Sequence, residues 1–183
     1  MLNLLLLNHH NRLVWIDETG FKTHMTRRRG WSKKGTRVRF ICRRRSSPYT
    51  MICAMGYDSI LSKWVFPKAM DEKRWRQFVM KYLLKALPPN RIVLLDNLNI
   101  HQDKKVLNEI RKAGHAVMFT PPYSPEGNPI EYMFSKLKTF VRKQCPKSAQ
   151  SLRNAIDNGL ATITTNDIAA YFFIAWGYIL NWS

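Results

Sequence analysis

The hydrophobic positions of this chain change period along its length. RLVWIDE (residues 12–18) is a continuous apolar run closed by acids, the pattern of a strand buried on both faces. YTMICAMGY (49–57) and ILSKWVF (60–66) are two more strand-like runs separated only by Asp58 and Ser59, which predicts a hairpin. Over residues 70–87 the period becomes helical: Trp75, Phe78, Val79, Tyr82, Leu83 and Leu87 line one face, behind an acidic start and ahead of Pro88 and Pro89. RIVLLD (91–96) predicts a second buried strand ending in an acid. QDKKVLNEIRKAG (102–114) predicts an amphipathic helix stopped by glycine, and HAVMFT (115–120) another strand. A proline-rich loop then leads into a helix over about 129–143, followed by two more over about 148–163 and 166–180. Strands come first as a meander and later alternate with helices, so the expected fold is a mixed α/β sheet flanked by helices, forming one domain over residues 1–183.

Charge adds a partner to this picture. The chain carries 30 Lys and Arg against 12 Asp and Glu, a formal charge of +18, while 45% hydrophobic and 12% aromatic content excludes a disordered basic tail. Such an excess points to a polyanion, and nucleic acid is the commonest. The segment over about 22–45 supplies 11 of the 30 positive charges with no acid. Gly30 and Gly35 mark it as a loop or hairpin excursion. Lys22, Arg27, Arg28, Arg29, Lys33, Lys34, Arg37, Arg39, Arg43, Arg44 and Arg45 are expected to follow a phosphate backbone, with Trp31 stacking on a base. A solvated charged hairpin is the alternative.

Other classes are set aside by what the sequence contains. Cys42, Cys53 and Cys145 make neither a disulfide framework nor a C-x-x-C zinc pair, so reduced thiols inside a cell are expected. The apolar start of the chain lacks the basic flank and small-residue cleavage site of a signal peptide. IAAYFFIAWGYILNW (168–182) falls short of the roughly 20 residues of a spanning helix and is expected to close the core.

Asp17 and Asp96 each close an apolar strand, where acids point into the ligand-binding crevice of an open α/β sheet. Either alone could equally be a solvated turn residue. Glu131 sits in the first turn of a helix, where the macrodipole alone favours an acid. Their flanks make them a set: VWIDETGF, LLDNLNIH and PPYSPEGNPIEYMFSKLK, in this order and with 34 residues between Asp96 and Glu131, resemble the DDE transposases of the mariner and bacterial insertion-sequence superfamily. The resemblance runs over about 13–143, and YFFIAWGY resembles the closing helix of the same domain.

That resemblance implies a ribonuclease-H-like fold with Asp17, Asp96 and Glu131 as the catalytic triad. These would hold Mg2+ or Mn2+, two ions per site, for cleavage and transfer of DNA strands. The donor set agrees, since carboxylate oxygens suit those hard cations. Asn97 and His101, in DNLNIH, are expected to orient ligands or a phosphate. Glu18 should point to the opposite face of its strand, Asp103 should serve a helix start and Glu126 a loop, so all three are expected to lie outside the site. Pro121, Pro122, Pro125 and Pro129 should aim Glu131 at the strand ends, while Gly127 stands where members of the family commonly have Leu and loosens that approach. The implied partners are double-stranded DNA, as transposon ends and target, and a second copy of the chain, acting in a nucleoid or nucleus. The helix-turn-helix domains that precede the catalytic domain in full-length members are expected to be absent. A DNA-binding module of the same fold that has lost its chemistry is the second reading.

Overall fold

The computed structural model describes residues 9–25, 32–36, 47–120 and 127–180. Five strands form one sheet: β1 (Leu13–Lys22), β2 (Pro48–Gly56), β3 (Ile60–Pro67), β4 (Ile92–Leu95) and β5 (Ala116–Phe119), in the spatial order β3-β2-β1-β4-β5. The β1–β2 and β2–β3 pairs are antiparallel, and β1–β4 and β4–β5 are parallel. Helix α1 (Glu72–Phe78) continues through a π turn (Val79–Leu83) and a last short piece (Leu84–Ala86). It is followed by α2 (Lys104–Lys112), α3 (Pro129–Gln144), α4 (Ala149–Ala161) and α5 (Thr165–Leu180). This is the ribonuclease-H-like mixed sheet that the motifs imply.

Strand alternation sorts the core into two layers. Leu13, Trp15 and Phe21 of β1 face α3, α4 and α5, packing with Met133, Phe134, Leu137, Ile156 and Phe172. Val14 and Ile16 face α1 and α2, packing with Trp75, Phe78, Val79 and Ile110. Each fully buried side chain of this size contributes roughly 1.5–3 kcal/mol. β1 therefore lies at the centre of the molecule, and what it presents on either face is fixed by packing.

Two boundaries differ from the expectation, and both concern the site. β1 does not stop at Glu18 but pairs with β2 as far as Lys22 opposite Pro48, so Asp17 lies in mid-strand and Lys22 in the sheet, not in a loop. What ends near Asp17 is the partner on the other side. β4 stops at Leu95, because the Asp96 carboxylate accepts from the Leu98 N–H (3.3 Å) and turns the chain out of the ladder. Asp17 thus sits where the parallel half of the sheet opens, which gives it the strand-end surroundings expected of it.

The basic excursion leaves from a closed neck. Thr23 donates its N–H to the Ser47 carbonyl (3.2 Å), and Ser47 donates its N–H to the Thr23 hydroxyl (3.0 Å). Within it, residues 32–36 form a tight turn with Gly35 at φ +84°, a conformation that glycine adopts without strain. Arg27, Arg28, Arg29, Trp31, Arg37, Arg39, Arg43, Arg44 and Arg45 lie outside the described residues, as do Pro121, Pro122, Pro125 and Glu126. α5 closes one core layer through Ile168, Phe172 and Ala175, as expected, but leaves Phe173 and Ile174 exposed. Among the described residues no helix is long and apolar enough to cross a membrane.

Candidate active site

The sheet register gives the two strand acids equivalent places. Leu13, Val14 and Trp15 pair with Ile92, Val93 and Leu94, so Asp17 and Asp96 each stand two residues past the last pair of the parallel ladder. Alternation places Asp17 on the Leu13–Trp15 face, the side covered by α3.

Glu131 comes from the first turn of α3. Asn128 caps this helix, accepting the Ile130 N–H on its side-chain oxygen (3.2 Å), and Pro129 fills the first helical position, where its missing N–H costs nothing. Ile130, Met133, Phe134, Leu137 and Val141 form the buried stripe of α3, which fixes the helix against the sheet and leaves Glu131 exposed at its edge. The other end of the Asn128 side chain reaches the acid on β1: its amide donates to Asp17 Oδ2 (2.8 Å). One residue therefore caps the helix that carries Glu131 and holds Asp17. It also fixes the approach that Gly127 was expected to loosen.

Charge links Asp96 and Glu131 to Asp17. Burial pushes the Asp17 carboxyl up from 3.8 to about 7; the Glu18 N–H bond opposes this, and the charges of Glu18, Glu131 and Asp96 add to it. Among the described residues, no Lys or Arg forms an ion pair with Asp17, Asp96 or Glu131. These carboxylates are hard oxygen donors that repel one another, and a divalent cation among them would relieve the repulsion, so the donor set fits magnesium or manganese. As the side chains stand, no three His, Cys, Asp or Glu among the described residues are gathered as a ready ligand cage. Asp17 is turned to Asn128, and Asp96 to His101.

His101 lies beneath this site and is fully buried. Its Nδ1 meets Asp96 Oδ1, and its Nε2 meets Glu18 Oε1 at 2.9 Å. Burial disfavours the charged ring, yet the hydrogen bonds to Asp96 and Glu18, with their charges, outweigh it and raise its pKa from 6.5 to about 9. Glu18 is expected from the sequence to lie outside the site. Its side chain does point to the opposite face of β1, but that face carries the histidine bonded to Asp96. Asn97 is exposed, and its side-chain oxygen accepts from Gln102 (2.8 Å), not from any of the three acids. Asp103 does what a helix-start acid does, capping α2 through the Lys105 N–H (2.9 Å) and pairing with Arg76 (2.8 Å). Lys22, Lys33 and Lys34 are exposed. Sequence reasoning missed Asn128, although PEGNPIE shows the signal: an Asn just before Pro and two apolar-flanked helical residues is a helix cap.

Comparison with known proteins bears on the family and the fold. The profile of a family described as DDE superfamily endonuclease matches residues 12–153. Among solved structures, the fold is similar to the Mos1 transposase paired-end complex with left transposon end (TM-score 0.81, 18% identity, 96% of this chain and 57% of that one). It is also similar to the Mos1 mariner paired end complex with Mn (TM-score 0.80, 17% identity, 97% and 56% of the two chains) and to the catalytic domain of Mos1 mariner transposase (0.69, 14%, 96% and 85%). The chain thus spans a little over half the length of the Mos1 chains in those paired-end complexes. No curated protein matches. Likeness at such low identity establishes the fold, while the family profile extends over more than half of the sequence and includes Asp17, Asp96 and Glu131. The chain belongs to the DDE superfamily of endonucleases.

Proposed function

We propose that this chain is a transposase catalytic domain that cleaves DNA strands and joins them to a target, with Asp17, Asp96 and Glu131 holding Mg2+ or Mn2+, two ions per site. The observation that carries the reading is the convergence of three acids with no Lys or Arg partner among the described residues: Asp17 and Asp96 each two residues past the last β1–β4 pair, and Glu131 acting on Asp17 from α3. Bound there, the cations would offset the acids' charge and polarise the attacking and leaving oxygens of a phosphodiester displacement. The protein supplies no covalent nucleophile in this chemistry; water attacks in cleavage, and a DNA 3′-hydroxyl in strand transfer. Asn128 keeps Asp17 and the start of α3 together, so that the strand acid and the helix acid are presented as a unit. The solved relatives named as paired-end and strand transfer complexes, and as holding Mn or Mg, support DNA ends and divalent ions as partners. A homodimer on paired DNA ends belongs to the same proposal.

Nicking of supercoiled plasmid by the purified protein, with and without Mg2+ or Mn2+, tests it. Activity should require the cation, and Asp17→Ala, Asp96→Ala or Glu131→Ala should each lower it by at least about a hundredfold with the fold intact. Full nicking by any one variant removes that residue from the site.

A further inference from the structure

We propose that Glu18 is a positioning residue of the active site, setting the orientation of Asp96 through the buried ring of His101. The inference builds on the reading of Asp96 as a metal ligand and extends the site through the sheet to its other face.

Three observations carry it. First, the ring bridges two carboxylates that are far apart in sequence and lie on opposite faces of the sheet end, Asp96 on Nδ1 and Glu18 on Nε2 (2.9 Å). Because both partners accept, each ring nitrogen is set as a donor, and neither tautomer nor ring flip is left open. Second, the ring has no alternative place to go. It is fully buried, the Trp75 ring packs on it at 4.7 Å between centroids, and its backbone N–H is held by the Leu98 carbonyl (2.9 Å). Third, the bonds to Asp96 all fall on one oxygen. Oδ1 accepts from both His101 and the Leu98 N–H, so among the described residues Oδ2 carries no hydrogen bond and is the oxygen directed away from this support. The Glu18 side chain, only 13% exposed, is thus the far anchor of a chain of contacts that ends at Asp96. Asn128 serves Asp17 on the opposite face, and the two strand acids are each held by a group from outside their own strand.

The test uses the full 183-residue chain. Glu18→Met removes the acceptor at nearly constant volume, and Glu18→Gln keeps an acceptor oxygen; if the Met variant fails to fold, Glu18→Ala takes its place. Two quantities are read: the hydrogen-bonded ring N–H signals of His101 by NMR without metal, and Mn2+ affinity by calorimetry. In Glu18→Met the Nδ1–H signal to Asp96 should be lost or broadened, and Mn2+ affinity should fall by about tenfold or more. Glu18→Gln should retain the signal and most of the affinity. A Met or Ala variant that melts lower yet keeps the Nδ1–H signal and parental Mn2+ affinity overturns the proposal, since Glu18 would then be only structural. A parent protein that binds no Mn2+ and nicks no DNA would instead overturn the transposase reading, while the ring signals would still decide whether Glu18 orients Asp96.

Discussion

Asp17 shows how burial and neighbouring charge make one carboxylate a pH-dependent cost to folding. Its folded pKa of about 7 stands above the ordinary 3.8, so the fold favours the protonated form. The unfolded chain releases that proton first as pH rises. Its contribution to stability is therefore full below about pH 4 and is lost progressively up to about pH 7, with a cost on the order of a few kcal/mol beyond that. Asp17→Asn should melt close to the parent at pH 4 and above it by a growing margin up to pH 7, then by a constant one. A margin independent of pH would show that the carboxyl is not perturbed. The same residue illustrates what was legible in the sequence. Asp17, Asp96 and Glu131 stand in contiguous motifs, so they could be picked out as a set from residues nearby. Glu18 meets His101 across 83 positions and Asn128 meets Asp17 across 111, pairings that exist only once β1 is packed on both faces.

At the scale of elements, the sequence pattern located the five strands and the α-helices of the described residues but not the short 3-10 turns at His10–Arg12 and Asn99–Gln102, and it failed where period carries no information. Trp75, Phe78, Val79 and Leu83 fit an uninterrupted α-helix as well as one with a π turn at Val79–Leu83, so the turn could not be seen in the spacing. The end of β1 was set too early because the acids at 17 and 18 resemble a strand stop, whereas antiparallel pairing with β2 carries the strand to Lys22. Packing of α4 on α3 was equally hidden, and it depends on a glycine. A Cβ at Gly159 would lie 2.6 Å from a Leu137 methyl and 3.0 Å from the Phe140 ring. Leu137 is fully buried in the core layer that fixes α3, so it has little room to yield. Gly159→Val should destabilise the protein by roughly 1–3 kcal/mol in denaturant titrations through overpacking. Unchanged stability would mean that the α3–α4 contact is looser than its geometry indicates. Since α3 also carries Glu131, the variant should lose nicking activity more steeply with temperature than the parent.

Over the whole molecule, charge and architecture meet at one end of the central strand. β1 runs from Leu13 past Asp17 to Lys22, and the excursion that follows leaves the sheet five residues beyond the acid, roughly 17 Å further along the strand. The segment over residues 22–45 holds 11 of the 30 positive charges, so the largest basic run of the chain departs from the same end of the sheet as the acids it would serve. If that segment binds a DNA backbone, as proposed, the duplex would be brought toward Asp17 and Asp96, whereas a merely solvated hairpin would have no consequence for binding. The neck at Thr23 and Ser47 makes the distinction measurable, because its two hydrogen bonds already bring the chain ends together and a short Gly-Ser link in place of residues 24–46 should leave the β1–β2 pairing intact. Binding of the parent to unrelated duplexes should be similar, with log K falling against log salt by about 0.9 for each phosphate neutralised. In the shortened protein that slope should drop by several units, and affinity at low salt should fall with it. If the slope is unchanged while the shortened chain still folds, the phosphates are met by other basic residues, and the excursion is not the DNA-binding element.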